Sequence, residues 1–587
     1  MSRAPSSSAL ALLLVACVVV VLVATGLREY VITNDGPQHA FAGEVIAFGN
    51  PNYVQNTTPS ANGGVQVYAA VRRLGGSTGL AQTVATDAPL VLWVVGFSAL
   101  ALVLDRRRWP LLLLGAASAF QFASVLGLLQ FQLAMGAAML VLAHECSSAS
   151  LRRRDAVLVV GVFVVAWFHL IVIPMLALGV VVARATSPSP IAALFRGALA
   201  AAPAVVWTAA AVLRFRSVEE DYTHVAVEAW SLVDGLTAVV RDFLVDPPWR
   251  GVVAVGITVV AVASLRFMPA RSKWLAVAGL LLVIATVLSP ENLSSWQLLR
   301  PRFLPLGCAF LWVSLPLERL APRWHALTAA ACAVFALTSA GWWRHNLQSQ
   351  EQQWAPAIAG LSQAPKQQGT WTPLVLVTDG DVELGRFSTW MHIGQLAALT
   401  LGGAPAYMQD INPINHQVHR IGAEAAPLYT PTFPGRWPKA WSAEGAERFR
   451  IVRALSTWSA PFRNIVAYAR PDDVDAIRAG GLVIDSEQVV GFDRVVVTGH
   501  FVGCPIDVEF ADATAGDVVE LGFVPATTPV DAAIVRTGSD VVHFEHGPCG
   551  AIWVRSPSCA GEERLTGHAD VDSATTTLRC QLVLQPE

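Results

Sequence analysis

Residues 9 to 40 read ALALLLVACVVVVLVATGLREYVITNDGPQHA. The first half, Ala9 to Thr25, holds no charged residue and is long enough to cross a hydrocarbon core, for which as few as about 17 residues suffice as a helix. Only about ten residues later comes Asp35, held close to the membrane surface by that short tether. Gly36-Pro37 forces a turn, and Gln38 and His39 open an amphipathic helix through Phe41, Val45, Ile46 and Phe48. A carboxylate, an amide and an imidazole are thereby gathered at the interface. Two plainer uses exist for the same residues: Asp35 as a helix cap and His39 packed on a lipid headgroup.

Further apolar runs follow at 89–104, 110–122, 123–143, 156–169, 170–183, 194–213, 252–265, 274–288, 303–317 and 326–342, about eleven crossings in all. Arg3 before the first run and the small residue Ala24 near its end resemble a signal peptide, but so many later spans argue for a retained start-transfer helix. The composition agrees with a membrane protein. Of 587 residues 54% are hydrophobic and only 14% charged, against about 25% in ordinary soluble chains. A net charge of −3 gives no basic footprint for nucleic acid.

Cytoplasmic loops carry an excess of Lys and Arg. With the N-terminus in the cytoplasm, Arg106–Arg108, Arg152–Arg154, Arg184 with Arg196, Arg271 with Lys273, and Arg319 with Arg323 all fall on the inner side. Merging 156–183 into one span would send the later basic loops to the other face, so charge favours two spans with His169 at their outer apex. An odd number of crossings then exports everything beyond Trp343.

That exported portion reads as a different kind of sequence. From Gln348 onward strand and helix patterns alternate: strands at 373–378, 464–469 and 493–498, and helices at 390–401 and 472–479. After His500 short Val-rich runs at 517–523, 532–536, 540–544 and 551–554 suggest a β-sandwich. The expected architecture is a polytopic α-helical membrane domain (1–343), an extracytoplasmic α/β domain (344–500) and a β-rich module (501–587). Cys504, Cys549, Cys559 and Cys580 all lie in that last module, an even set that suggests two disulfides with three possible pairings. A zinc site is the competing use of these cysteines, weakened by the lack of a close Cys-x-x-Cys pair.

The order of these features resembles the class C fold of integral-membrane glycosyltransferases. It is especially similar to a bacterial branch with an Asp-x-Pro-x-His motif in the first outer loop, met here by Asp35, Pro37 and His39. Gln130-Phe131-Gln132-Leu133 in a Leu/Gly-rich span, His169 at a turn, and Arg300-Pro301-Arg302-Phe303 at the start of a late span extend the likeness over roughly the first 343 residues. The resemblance implies transfer of a sugar from a polyprenyl-phosphate donor to a glycan, glycolipid or protein acceptor at the outer face of the cytoplasmic membrane. In that chemistry Asp35 would take the proton of the acceptor hydroxyl. Arg300 and Arg302 would neutralise the departing phosphate, and Gln38, His39 and His169 would contact substrate. Interfacial anchoring is the plainer use of the two arginines.

Many relatives place two adjacent acidic residues in the first loop, whereas Asn34 precedes a lone Asp35 here. A divalent metal is therefore left open. The loop 214–250, with Glu219, Glu220, Asp221, His224, Glu228, Asp234 and Asp242, offers further carboxylates, although such a charge run is usually solvated. Two other classes of function compete. A transporter or flippase of a lipid-linked substrate would show midspan charges or repeated broken helices. A membrane-anchored ligand-binding protein would not need so many spans.

Overall fold

The computed structural model describes residues 5–28, 36–50, 63–219, 231–241, 247–289 and 299–364, with Val31, Thr33, Leu244 and 53–55, and beyond 369 chiefly the helices and strands named below. Among the described residues fifteen α-helices precede the first strand of the C-terminal part: α1 (Ser7–Thr25), α2 (Gly36–Phe48), α3 (Gly63–Arg73), α4 (Thr78–Leu104), α5 (Leu111–Ala119), α6 (Phe122–Leu126), α7 (Leu129–Glu145), α8 (Leu151–Phe168), α9 (Val172–Ala185), α10 (Pro190–Glu219), α11 (Leu232–Arg241), α12 (Pro248–Ala263), α13 (Ala270–Leu288), α14 (Leu299–Val313) and α15 (Pro322–Gln363). Among the described residues α1, α4, α10, α13 and α15 are long and apolar enough to cross a membrane by themselves, and 111–126, α9 and α12 are shorter apolar stretches. The chain is a multi-pass membrane protein.

Small residues let the helices approach closely, as membrane bundles require when apolar burial alone no longer favours association. A Cβ on Gly136 of α7 would fall 2.7 Å from the carbonyl carbon of Leu92 on α4. Likewise a Cβ on Gly279 of α13 would fall 2.6 Å from the carbonyl oxygen of Gly307 on α14. These two crossings fix α4, α7 and α14, the helices that carry Gln82, Gln130 and Arg302.

The basic loops share one end of the bundle, as the charge pattern predicts, but several of their arginines are not free surface charges. Arg108 is 1% exposed and reaches Glu318 (3.1 Å), Ser272 (3.0 Å) and the carbonyl of Val313 (2.7 Å). Arg184, equally buried, pairs with Glu145 at 2.8 Å and Asp155 at 2.9 Å. The chain breaks at His169 between α8 and α9, so 151–185 forms two helices.

At the opposite end α15 runs unbroken through Trp343 to Gln363 and enters a second core. There a five-stranded mixed sheet has the order Ala404–Pro405, Thr370–Val375, Asn464–Ala469, Arg494–Phe501, Leu482–Gly491, the first three strands parallel and the rest antiparallel. Strand alternation sorts its faces. Ile465, Ala467 and Ala469 pack under α17 (Pro471–Ala479) with Val474 and Ile477. On the other face Val466 and Tyr468 meet α16 (Ile393–Leu401), the end of α15, and Phe41, Val45 and Ile46 of α2.

That last contact gives the apolar face of the amphipathic helix α2 its partner, a core shared with the sheet. The strand expected at 373–378 begins three residues earlier, at Thr370, and the strand Leu482–Gly491 was not legible. It is an edge strand with register shifts at Ile484/Ser486 and Val489/Gly491, which break the period-two pattern. Beyond it two antiparallel sheets occur, a five-stranded one and the pair Pro505–Ala511 with Glu562–His568. Cys504, Cys549 and Cys559 lie outside the described residues. Cys580 stands opposite Leu521 in a strand whose side chains are not described, so nothing in the fold carries the disulfide expectation.

Candidate functional site at the loop end of the bundle

The loop after α1 is stapled before it reaches Asp35. Arg28 Nε donates to the carbonyl of Thr25 at 2.7 Å, and Nη1 pairs with Glu351 of α15 at 2.6 Å. Val31 N–H donates to Gln82 Oε1 at 2.8 Å, on the part of α4 that overhangs the span. A 27-residue helix is about 40 Å long, some 10 Å more than a hydrocarbon core, so its first turns stand clear to receive the loop. Then the chain turns: Gly36 N–H donates to Thr33 O at 3.2 Å. A Cβ on Gly36 would sit 2.9 Å from Thr33 Oγ1 and 3.0 Å from Val31 O, which is why glycine opens α2. Asp35 itself, one residue earlier, lies outside the described residues.

His39, in the first turns of α2, crosses to the next part of the bundle. Its Nε2 donates to the carbonyl of Gly127 at 2.8 Å, while the Gln130 amide approaches Nδ1 at 3.5 Å as donor. A carbonyl only accepts, so Nε2 carries a proton. Gly127 ends the short helix α6 in the left-handed region, φ +77°, where glycine has no steric cost. The chain between α5 and α7 is therefore irregular at this depth, and side chains satisfy the carbonyls it frees. Ser124 Oγ and Gln132 Nε2 both donate to Ala119 O, at 2.7 and 2.9 Å.

Gln130 and Phe131 are adjacent on the first turn of α7 and so point about 100° apart. Gln130 meets His39. Phe131 meets His169 in an edge-on arrangement, 5.4 Å between ring centroids at 77°, and lies 5.5 Å from the Arg302 guanidinium carbon. Arg302 Nη1 completes the triangle by donating to His169 Nε2 at 2.9 Å. A guanidinium has no acceptor, so that ring nitrogen carries no proton. A contiguous line of contacts thus runs from α2 through α7 and the α8/α9 turn to α14.

A second clip orients α2. Glu44 accepts from Tyr68 Oη (2.8 Å) and Arg72 Nε (2.5 Å) of α3, and Arg72 Nη1 donates to Gly76 O (2.6 Å) in the turn before α4. Burial, with the Glu44 carboxylate beside it, pushes the Tyr68 phenol well above its usual value, so it stays a neutral donor. The start of α3 is set tightly against α7 and α8, since a Cβ on Gly63 would fall 2.6 Å from Phe168 and one on Gly64 2.7 Å from Leu129.

Of the residues singled out in the sequence, His169 and Arg302 are in direct contact, and His39 is linked to them through Gln130 and Phe131. His39 faces protein and not a lipid headgroup. Gln38 is buried on α2, and Arg300 stands on the first turn of α14, its side chain outside the description. Of the acidic loop, Glu220, Asp221, His224, Glu228 and Asp242 lie outside the described residues. Among the described residues no three His, Cys, Asp or Glu side chains converge as a metal ion would require. Sequence reasoning assigned no role to Gln82 or Phe131. Gln82 carries no motif, and an aromatic in an apolar run looks like core.

No protein-family model and no curated protein sequence matches the chain. Similarity appears among solved structures. The apo structure of ArnT from Cupriavidus metallidurans aligns with a TM-score of 0.52 at 12% identity, over 84% of this chain and 98% of that one. ArnT bound to undecaprenyl phosphate aligns over the same shares with a TM-score of 0.47 at 14% identity. The arabinofuranosyltransferase AftD from Mycobacteria gives 0.48 at 13% identity, over 98% of this chain and 60% of that one. At such identities the likeness to apo ArnT is one of fold, and it spans nearly the whole of that protein.

Proposed function

We propose that the chain is a membrane glycosyltransferase that moves a sugar from a polyprenyl-phosphate donor to an acceptor at the outer face of the cytoplasmic membrane. The observation that carries this reading is the line of contacts from His39 through Gln130 and Phe131 to His169 and Arg302, at the end of the bundle where the loop bearing Asp35 is anchored. The fold shared with ArnT supports it.

In this reading Arg302 binds the donor phosphate. A guanidinium suits that oxyanion because it offers planar, paired N–H donors and keeps its charge at any working pH. Arg300, two residues away on the same turn, adds charge at the same end of α14, as does the partial positive charge of the helix N-terminus. The acceptor hydroxyl attacks the anomeric carbon, the carbon–oxygen bond to phosphate breaks, and its electron pair leaves with the lipid phosphate. Asp35 takes the hydroxyl proton, and Gln38 and His39 hold the loop and α2 beside it. The acceptor is a glycan, glycolipid or protein, met by the domain beyond α15.

Titration of undecaprenyl phosphate into the purified full-length chain tests the reading. Arg302→Ala should weaken binding about tenfold or more, the worth of a charge-assisted hydrogen bond, and Arg302→Lys should recover part of it. Unchanged binding by Arg302→Ala would remove the phosphate assignment. Loss of the protein from the membrane without a binding defect would instead identify Arg302 as an interfacial anchor.

A further inference from the structure

The turn between α3 and α4 leaves large apolar side chains uncovered. Leu74 is 88% exposed and Phe48, at the end of α2, 62% exposed, with Leu80 on the first turn of α4 also exposed. Arg72 and Gly76 lie among them: the Arg72 guanidinium carbon is 5.3 Å from the centre of the Phe48 ring, and a Cβ on Gly76 would fall 3.3 Å from Leu80. Arg73 is exposed beside Leu74. Its Nε and Nη2 donate to the carbonyls of Ala47 and Ile46 at the end of α2, and among the described residues no carboxylate pairs with it. The depth of this patch follows from helix geometry. α4 ends at the basic end of the bundle, where Asp105 precedes Arg106–Arg108. Counting back from Leu104, about 20 residues cross the hydrocarbon core, as far as Ala85, so Leu80 stands about 7 Å beyond it. The headgroup layer is about 5–7 Å thick on each side. At that depth leucine and phenylalanine side chains reach acyl chains while a guanidinium meets phosphate.

We propose that the α3/α4 turn docks on the membrane leaflet at the loop end of the bundle, with Phe48, Leu74 and Leu80 at the acyl boundary and Arg73 on the phosphate of an anionic phospholipid. Depth and charge together select lipid as the occupant. The patch lies level with the headgroups, and its charge is positive because the carboxylate beside it, Glu44, is already taken by Arg72 and Tyr68. The inference goes beyond the transferase reading and does not rest on it. The same Glu44 contacts join α3 to α2, so lipid held at this turn steadies the helix that begins one residue after Asp35.

Photo-crosslinking tests the contact directly. Benzoylphenylalanine is placed at position 74 of the full-length chain in vesicles of phosphatidylglycerol and phosphatidylcholine in equal parts, each lipid carrying its own isotopic label. Position 12, where Leu12 is exposed within the first span, is the lipid-facing control. Position 489, where Val489 is exposed on the C-terminal sheet, is the aqueous control. Its neighbour Gln488 lies against Gly360, about 25 Å along α15 beyond the hydrocarbon core. Lipid labelling at 74 should reach at least about half of that at 12 and exceed that at 489 about fivefold or more. Phosphatidylglycerol should be favoured over phosphatidylcholine by about fivefold, the worth of one basic side chain near an anionic surface, and Arg73→Gln should abolish that preference. Because Leu74 is exposed, the labelled variant should unfold at the parental temperature. Labelling at 74 no higher than at 489 would overturn the inference, as would crosslinks from 74 to a second copy of the chain in place of lipid. Equal labelling of the two lipids before Arg73 is altered would overturn the assignment of an anionic headgroup.

Discussion

His39 Nε2 donates to the carbonyl oxygen of Gly127 at 2.8 Å, joining two residues 88 positions apart. The bond ties α2, which begins one residue after Asp35, to the glycine that closes α6. Its loss would leave a carbonyl at the α6/α7 turn without this donor, at a cost of about 1–3 kcal/mol where the group is buried. His39→Phe keeps the ring volume without the donor and should lower the unfolding temperature. It should also speed amide hydrogen exchange in peptides covering 26–48. His39→Gln, whose amide can still donate, should recover part of the protection. Parental exchange in His39→Phe would show that the loop is held by Gln82 and Glu351 alone.

Asp35→Asn removes the proposed base while changing little volume. General-base assistance contributes about 10²- to 10⁴-fold, so transfer from radiolabelled polyprenyl-phosphate sugars by membranes should fall by at least about a hundredfold. Undecaprenyl phosphate affinity should stay within about twofold of the parent, because Arg302 is unaltered. Equal transfer rates at equal expression would take Asp35 out of the base role.

Gly136→Ala places a methyl group 2.7 Å from the backbone carbon of Leu92, where no flexible side chain can yield. Overpacking of this kind costs about 1–3 kcal/mol, seen as a lower unfolding temperature in detergent. Gly256→Ala on α12, where a Cβ meets nothing within 4 Å, is the matched control and should be neutral or stabilising by up to about 1 kcal/mol. The pair separates close helix contact from the general effect of replacing glycine in a helix.

Arg184→Met leaves Glu145, itself 1% exposed, without its partner. An uncompensated buried charge costs about 3–5 kcal/mol, and the double change Arg184→Met with Glu145→Met should be milder than the single one. A double-mutant cycle on thermal stability reads the difference directly. Additive losses would mean the two charges are not coupled.

Composition and periodicity made the helices legible because a long apolar run has one stable form in lipid. The break at His169 followed from charge balance along the chain, and the glycines at 402 and 403 marked the end of α16 through their positive φ values of +93° and +83°. The site was legible only as scattered polar residues. His39, His169 and Arg302 stood out because polar groups near a membrane need a reason. Gln82 did not, and Phe131 was noticed only as part of a four-residue likeness, since their roles depend on what lies opposite them.

The sequence by itself determined that this is a multi-pass membrane protein with a folded C-terminal part, because the length and apolarity of each run are local properties. Tertiary structure decided which polar residues meet, and it set the amphipathic helix α2 between two cores. It also converted Arg108 and Arg184 from surface charges into buried partners. Each of these depends on contacts between residues far apart in the chain, and a hydrogen bond or ion pair of that kind leaves no periodic trace in the sequence.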